Sequence, residues 1–357
     1  MMITVGLFDK AIIWYLNCPD LCCERVNLVP MKTVITGASG HLGINLIRAL
    51  ISKGRQVGTL SHISDTGLEG LKVEYSKGDV GSLSSLVAAF EGADVVYHLA
   101  AHISLMMDDW PRCREVNVVG TANVVEACRL SGVKRLVHFS SIHALCQEPL
   151  STPVDESRPH VDSPKAPPYD RSKAAGEKIV RKAIDDGLNA IVINPTAVVG
   201  PYDYRPSHFG LALLQMARGK LPVLIEGGFD WVDVRDVVDC AIKAEEMAPA
   251  GSNYLLSGEW LSVKEVANIV AGIVGKKAAS LVCPMSVAHA CSPIVTFSSR
   301  LVGARPIFTR ASLKALVSNH HILHDKATRE LGYNPRPIRQ TIADTIQWFK
   351  DNGYLDI

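Results

Sequence analysis

The sequence predicts an α/β fold: a doubly wound parallel sheet of Rossmann type with a smaller C-terminal substrate-binding part. Three observations predict it. From Met31 onward, short and almost wholly apolar runs alternate with amphipathic stretches of helical period. A glycine-rich turn, TGASGHLG (36–43), stands directly after the first apolar run. After Pro195 the alternation becomes irregular, as expected of a smaller part that covers a substrate.

Taken in order, KTVITG (32–37) reads as a strand and HLGINLIRALISKG (41–54) as a helix closed by Gly54. QVGTL (56–60) is the next strand, and a third ends at KGDV (77–80). SLSSLVAAFEG (82–92) is a helix, ADVVYHLA (93–100) a strand, and NVVGTANVVEACRLSG (117–132) a helix stopped by Gly132. KRLVHFSS (134–141) is a strand, and a proline-rich loop (151–168) leads to a helix running from Tyr169 to about Gly187. NAIVINP (189–195) completes the regular series. The stretch 231–247 resumes strand–helix character and is expected to return to the main sheet. Residues 282–302 read as a helix lining a pocket or packing on the core, because polar and charged residues interrupt their apolar run. Residues 338–353 read as a terminal surface helix. The predicted division is therefore 31–195 plus 229–250 for a dinucleotide-binding domain and 196–228 plus 251–357 for the substrate-binding part.

Residues 1–30 look foreign to the rest of the chain. Asp9 and Lys10 interrupt the apolar stretch, and it lacks a small-residue cleavage site, which argues against a signal peptide. The segment reads as an upstream extension outside the fold, with a functional N-terminal arm as the alternative. The chain has 357 residues, a formal net charge of +1 and 20% charged residues, so its charge gives no reason to expect nucleic acid or a membrane as partner. Nine cysteines without C-x-x-C or zinc-ligand spacing predict reduced thiols, a cytoplasmic setting and no metal.

The glycine turn sets Gly37, Gly40 and Gly43 between a strand and a helix, where a dinucleotide needs close backbone approach and free N–H groups at a positive helix end. The spacing is G-x-x-G-x-x-G, and a purely structural turn is the competing reading. An acid that would bind the NAD ribose is missing after the second strand, where Ser61 and His62 stand. Its absence favours NADP(H), with NAD(H) as the alternative. Asp79 can meet the adenine amine or simply form a turn, and Asn117 can bridge backbone or cap a helix.

Tyr169 and Lys173 lie four apart, on one helix face, and follow a strand ending in Ser140 and Ser141. A phenol has an ordinary pKa of about 10. A nearby ammonium and the positive nicotinamide ring are both expected to lower it toward the working range, so that Tyr169 exchanges a proton with a substrate oxygen. Lys173 is also placed to hold the nicotinamide ribose, and Ser141 to orient that substrate oxygen. These residues together predict a nicotinamide oxidoreductase.

TGASGHLG, GDV, YHLAA, FSSIHAL, YDRSK and NPTAVVGP occur in the order that marks the extended short-chain dehydrogenase/reductases, the NAD-dependent epimerase/dehydratase family, which the chain resembles from Met31 to its C-terminus. GPYDYRPSHFG and GGFDWVDVRDV resemble its dihydroflavonol-4-reductase-like branch. The resemblance implies Ser141, Tyr169 and Lys173 as catalytic residues. It places Gly37, Ser39, Gly40, His41, Leu42, Gly43, Ser61, His62, Asp79, Val80, Leu99, Ala100, Ala101, Asn117, Ser140, Pro195 and Thr196 near the cofactor, and implies a homodimer joined through the Asn117 and Tyr169 helices. Nucleotide-sugar epimerases carry an arginine where Phe229 stands, and dehydratases carry acids at the Ser141 site; both are disfavoured. Candidate substrate residues are His102, Ser104, Met106, His143, Tyr202, Tyr204, Phe209 and Trp231, a mix that suggests an uncharged, partly apolar carbonyl or alcohol. The expected activity is reduction of a ketone or aldehyde, or oxidation of the matching alcohol. A nucleotide-sugar epimerase with tightly bound NAD and a non-catalytic NADP-sensing regulator are the alternatives.

Overall fold

A computed structural model describes residues 31–61, 66–301 and 309–356. The expectations for residues 1–30 and His62 lie outside the described residues. The strands in chain order are β1 (Lys32–Thr36), β2 (Gln56–Ser61), β3 (Val73–Lys77), β4 (Val95–His98), β5 (Arg135–Phe139) and β6 (Ala190–Pro195). Then come β7 (Ala197–Val199), β8 (Val223–Ile225), β9 (Gly228–Asp233), β10 (Asn253–Leu256), β11 (Glu259–Ser262) and β12 (Leu281–Cys283). A seven-stranded sheet runs β10-β6-β5-β4-β1-β2-β3, with every neighbouring pair parallel. This is the doubly wound α/β arrangement that the alternation predicts.

Both faces of the sheet are covered because its inner strands are apolar on both sides, while the edge strand β3 stays largely exposed. Ile35, Tyr97, Val137, Ile191 and Ile193 face one core, which takes Ile44, Ile47 and Leu50 from the first helix (His41–Ser52) and Val237 and Ala241 from Val234–Met247. Val34, Val96, Leu136 and Val192 face the other, against Leu86, Val124, Cys128 and Val180. Each such aliphatic side chain contributes roughly 1.5–3 kcal/mol by leaving water. β1 pairs with both β2 and β4, so the strand order reverses there and a crevice opens at the carboxyl ends of β1 and β4.

The return to the main sheet differs from expectation. Gly228–Asp233 joins a three-stranded sheet, β11-β9-β7, and the strand that reaches the main sheet is Asn253–Leu256, just beyond the predicted 229–250 stretch. A short apolar strand before an amphipathic helix looks the same in sequence whichever sheet receives it. The predicted terminal helix is Ile338–Asp351. It buries Ile342, Ile346 and Phe349 in a third core with Leu213, Trp231 and Val270, leaving only its polar face at the surface. Residues 285–301 are helical as expected, and no helix among the described residues is long and apolar enough to cross a membrane. Cysteines among the described residues are free thiols.

Candidate active site

The glycine turn sits at the crevice. Gly37 takes a left-handed backbone, φ +75°, and a Cβ there would lie 2.6 Å from the Ala100 nitrogen and 2.8 Å from the Leu99 carbonyl carbon. The turn is thus pressed against the chain that leaves β4. Leu99 N–H donates to the Thr36 carbonyl at 3.1 Å, and Ala100 N–H to Thr36 Oγ1 at 3.3 Å. At Gly43 a Cβ would meet the Gly37 carbonyl oxygen at 2.4 Å, so the helix can begin this close to the turn only with glycine. Because those neighbours are main chain and cannot yield, Gly37→Ala should destabilise the protein by about 2–4 kcal/mol. The urea midpoint measures this, and an unshifted midpoint would contradict it.

These features fit a dinucleotide. The first helix has no side-chain cap at Gly40 and no acid in its first turn, so its positive end faces the crevice uncompensated. Ser39, His41 and Leu42 surround that end. The His41 ring is tied to the Pro201 carbonyl at 3.0 Å, which leaves its backbone for the crevice. Ser61 ends β2. Asp79 accepts from Gly81 N–H as a turn residue, and Val80 is buried behind it. Asn117 lies inside a π-helical segment, Arg114–Val119, and not at a helix start, which removes the capping alternative. Its side chain bridges both backbone groups of His102, at 2.7 and 2.9 Å, and donates to Ser172 Oγ at 2.8 Å. Ala101 therefore continues into a loop clamped to the Tyr169 helix. At the end of β6, Pro195 is buried and Thr196 Oγ1 donates to Asp230 at 2.7 Å.

The Tyr169 helix, Pro168–Asp185, starts with prolines at Pro167 and Pro168, whose fixed φ suits a first turn. Its inner face carries Tyr169, Lys173 and Glu177, spaced by four. Lys173 Nζ donates to the Phe139 carbonyl at 2.7 Å, two residues before Ser141. The Ser141 hydroxyl is near enough to the Tyr169 phenol to lower its pKa. Phenol, ammonium and hydroxyl thereby converge at the carboxyl end of β5, and buried Ser140 lies between Phe139 and Ser141.

For the chain by itself, electrostatics at this point are set by burial. Burial pushes the Tyr169 phenol up to about 12, against the lowering influence of Ser141, and Asp170 and Cys113 push it the same way as burial. Burial pulls Lys173 down to about 8, opposed by the Glu177 carboxylate. The ammonium donates to a backbone carbonyl of β5. Glu177 was not singled out by sequence, although continuing the spacing of four past Lys173 reaches it. It is held ionised by His160 Nε2 at 2.9 Å, Arg181 at 2.7 Å and Asn194 Nδ2 at 2.8 Å.

The predicted substrate residues separate. His143 stands beside Tyr169, ring centres 6.0 Å apart. His102 and buried Ser104 belong to the clamped loop with Met106, and His102 Nε2 is bonded to Asp109 at 2.7 Å. Trp231 is a core residue: it packs edge-on against Phe209 and Phe229 at 5.0 and 5.5 Å and donates its indole N–H to Leu261. Tyr202 and Tyr204 are held by Trp348 and Arg48. A cavity of about 260 Å³ opens beside Pro167, lined by Met107, Lys165, His289, Arg310, Lys314 and Val317. Its cations are scattered along the chain, so no local pattern pointed to them. His102, Asp109 and Cys113 bring ligand-type atoms within 4.8 Å of one another. Burial pushes the Cys113 thiol up to about 11.

Fold and crevice define a dinucleotide-dependent enzyme, and comparison with known proteins says which kind. The model of the NAD dependent epimerase/dehydratase family matches residues 33–256, and the chain belongs to that family. It is 34% identical to sterol demethylase protein B of Methylococcus capsulatus, covering 91% of this chain and 100% of that one. It is 28% identical to the 4-hydroxy-2-methyl-3-oxo-4-farnesyl-3,4-dihydroquinoline-1-oxide ketoreductase of Stigmatella aurantiaca, covering 89% and 96%. The crystal structure of gox2253 superposes with a TM-score of 0.80 at 30% identity, covering 91% of this chain and 99% of that one.

Proposed function

We propose that this chain reduces a ketone or aldehyde, or oxidises the matching alcohol, with Tyr169 as proton donor and acceptor. The observation that carries the reading is the meeting of Tyr169, Ser141 and Lys173 at the end of β5, in the same parallel sheet whose β1 leads into the glycine turn. A bound nicotinamide would supply or accept the hydride. Ser141 holds the substrate oxygen, and Tyr169 gives it a proton in the reducing direction and takes one back in the other. Lys173 binds the nicotinamide ribose, and its contact with the Phe139 carbonyl positions it. Gly37, Gly40, Gly43 and the positive helix end receive the pyrophosphate.

NADP(H) is the preferred form on this reading, because β2 ends in Ser61 and no carboxylate is there to repel a 2′-phosphate. The substrate part is assigned to 196–228 plus 251–357, apart from β10, and the working form to a cytoplasmic homodimer. The name of the ketoreductase relative supports a ketone as the group reduced. Nucleotide-sugar epimerisation is the weaker reading, since Phe229 is packed into an aromatic cluster with Phe209 and Trp231 and itself offers a diphosphate no charge. The test is a panel of ketones, aldehydes and secondary alcohols with NADPH and NADH, followed at the nicotinamide absorbance. Turnover with a preference for NADPH is expected. Dinucleotide binding without turnover would favour the regulator, and retained NAD with no net absorbance change the epimerase.

A further inference from the structure

Beyond Ser141, two more side chains stand near Tyr169. His143 follows Ser141 by two residues on a short 3-10 turn, and Asp170 directly follows Tyr169 in the first turn of its helix. His143 Nδ1 lies 3.4 Å from Asp170 Oδ1, and the imidazole meets the Tyr169 ring edge-on at 6.0 Å between centres. The side chains are 27% and 17% exposed, so the pair is neither sealed in the core nor free in solvent. The turn does not need this pair to hold its shape. Ala144 N–H donates to the Ser141 carbonyl, Val161 N–H to the Ala144 carbonyl, and Asn194 Nδ2 to the Ser141 carbonyl at 3.2 Å.

A carboxylate that engages Nδ1 fixes the ring and leaves Nε2 as the group presented outward. Neutral, Nε2 accepts from a hydroxyl; protonated, it donates to a carbonyl or carboxyl oxygen. Burial disfavours the protonated ring, but the Asp170 carboxylate outweighs it and holds His143 above its ordinary range. The two rings stand 6.0 Å apart between centres, close enough for one small molecule to meet both.

We propose that His143, positioned by Asp170, binds a second oxygen of the substrate, so that the ketone taken by this site carries a hydroxyl or carboxyl-type oxygen one or two carbons from the reacting carbonyl. This rests on the ketone-reductase reading above. The test compares cyclohexanone, 2-hydroxycyclohexanone and ethyl 2-oxocyclohexanecarboxylate in the wild type, His143→Ala, His143→Gln and Asp170→Asn, with thermal melting as the check on folding. The wild type should prefer the better oxygenated ketone over cyclohexanone in kcat/KM by about 10- to 100-fold. In His143→Ala that ratio should collapse toward one, chiefly through KM of the oxygenated ketone. His143→Gln, which keeps a polar group, should restore part of it, and Asp170→Asn should lower it. An equal loss on all three ketones, or a ratio unmoved in His143→Ala, overturns the proposal and leaves the reductase reading standing. A wild type that reduces none of them in the presence of either dinucleotide overturns both.

Discussion

Replacing Tyr169 with phenylalanine should lower turnover by about 10²–10⁴-fold while the dinucleotide binds nearly as tightly. The substitution removes one oxygen and keeps the ring that packs edge-on against His143. What is lost is the proton carrier and the influence of Ser141 on it. Because burial holds the phenol up near 12, Tyr169 is protonated through neutral pH and ready to act as the acid in carbonyl reduction. The reverse reaction needs the phenolate, so alcohol oxidation should rise with pH where reduction does not. Lys173 and the glycine turn are untouched, which is why cofactor affinity should survive. Steady-state rates and dinucleotide titration of the two proteins check both halves. A variant that keeps turnover within tenfold of the wild type would remove Tyr169 from the proton-transfer role.

Sequence alone made the main sheet legible because its cause is local. Strands buried on both faces must be apolar throughout, as in AIVINP of β6, and the helices between them must repeat at helical spacing. The turn at Gly37 was legible for the same reason: a left-handed backbone pressed on Ala100 admits glycine and little else. Tyr169 and Lys173 could be paired because a helix fixes which residues share a face. What sequence did not show depends on chain segments far apart. Lys173 reaches a carbonyl on β5, and the indole of Trp231 is taken by Leu261 on β11. An aromatic residue near a site is equally fit for core or pocket, and only the meeting of Phe209, Phe229 and Trp231 decides it. The His143–Asp170 pair is a middle case. Each residue flanks a recognisable motif, but their contact requires the turn after β5 to fold over the start of the Tyr169 helix.

His138→Leu should make the protein more stable at neutral pH and more so in acid. His138 is buried in β5 beside His98 on β4, ring centres 5.3 Å apart, and neither of its ring nitrogens has a hydrogen-bond partner. His98 is differently placed. Its Nδ1 meets Thr36 Oγ1 at 2.8 Å and its Nε2 meets Thr121 Oγ1 at 3.0 Å, while that hydroxyl gives its own proton to the Asn117 carbonyl. Thr121 must therefore accept from Nε2–H, and Nδ1 must accept from Thr36, so the neutral ring of His98 is fully paired. Burial and the Lys173 ammonium pull His98 down to about 3 and hold His138 well below its ordinary value. Both pKa values are lower in the folded state than in the unfolded chain. Below about pH 6.5 the unfolded chain takes up protons that the folded protein refuses, so stability is lost as pH falls. For His98 this amounts to about 3 kcal/mol by pH 4. Leucine at 138 removes two unpaired buried nitrogens, worth about 1–3 kcal/mol at pH 7, and deletes that residue's share of the acid dependence. Urea unfolding at pH 7 and pH 4 measures both effects. A variant less stable than the wild type at pH 7, with an acid dependence as steep, would mean that His138 has polar partners in solution and is not the buried orphan that makes the sheet acid-labile.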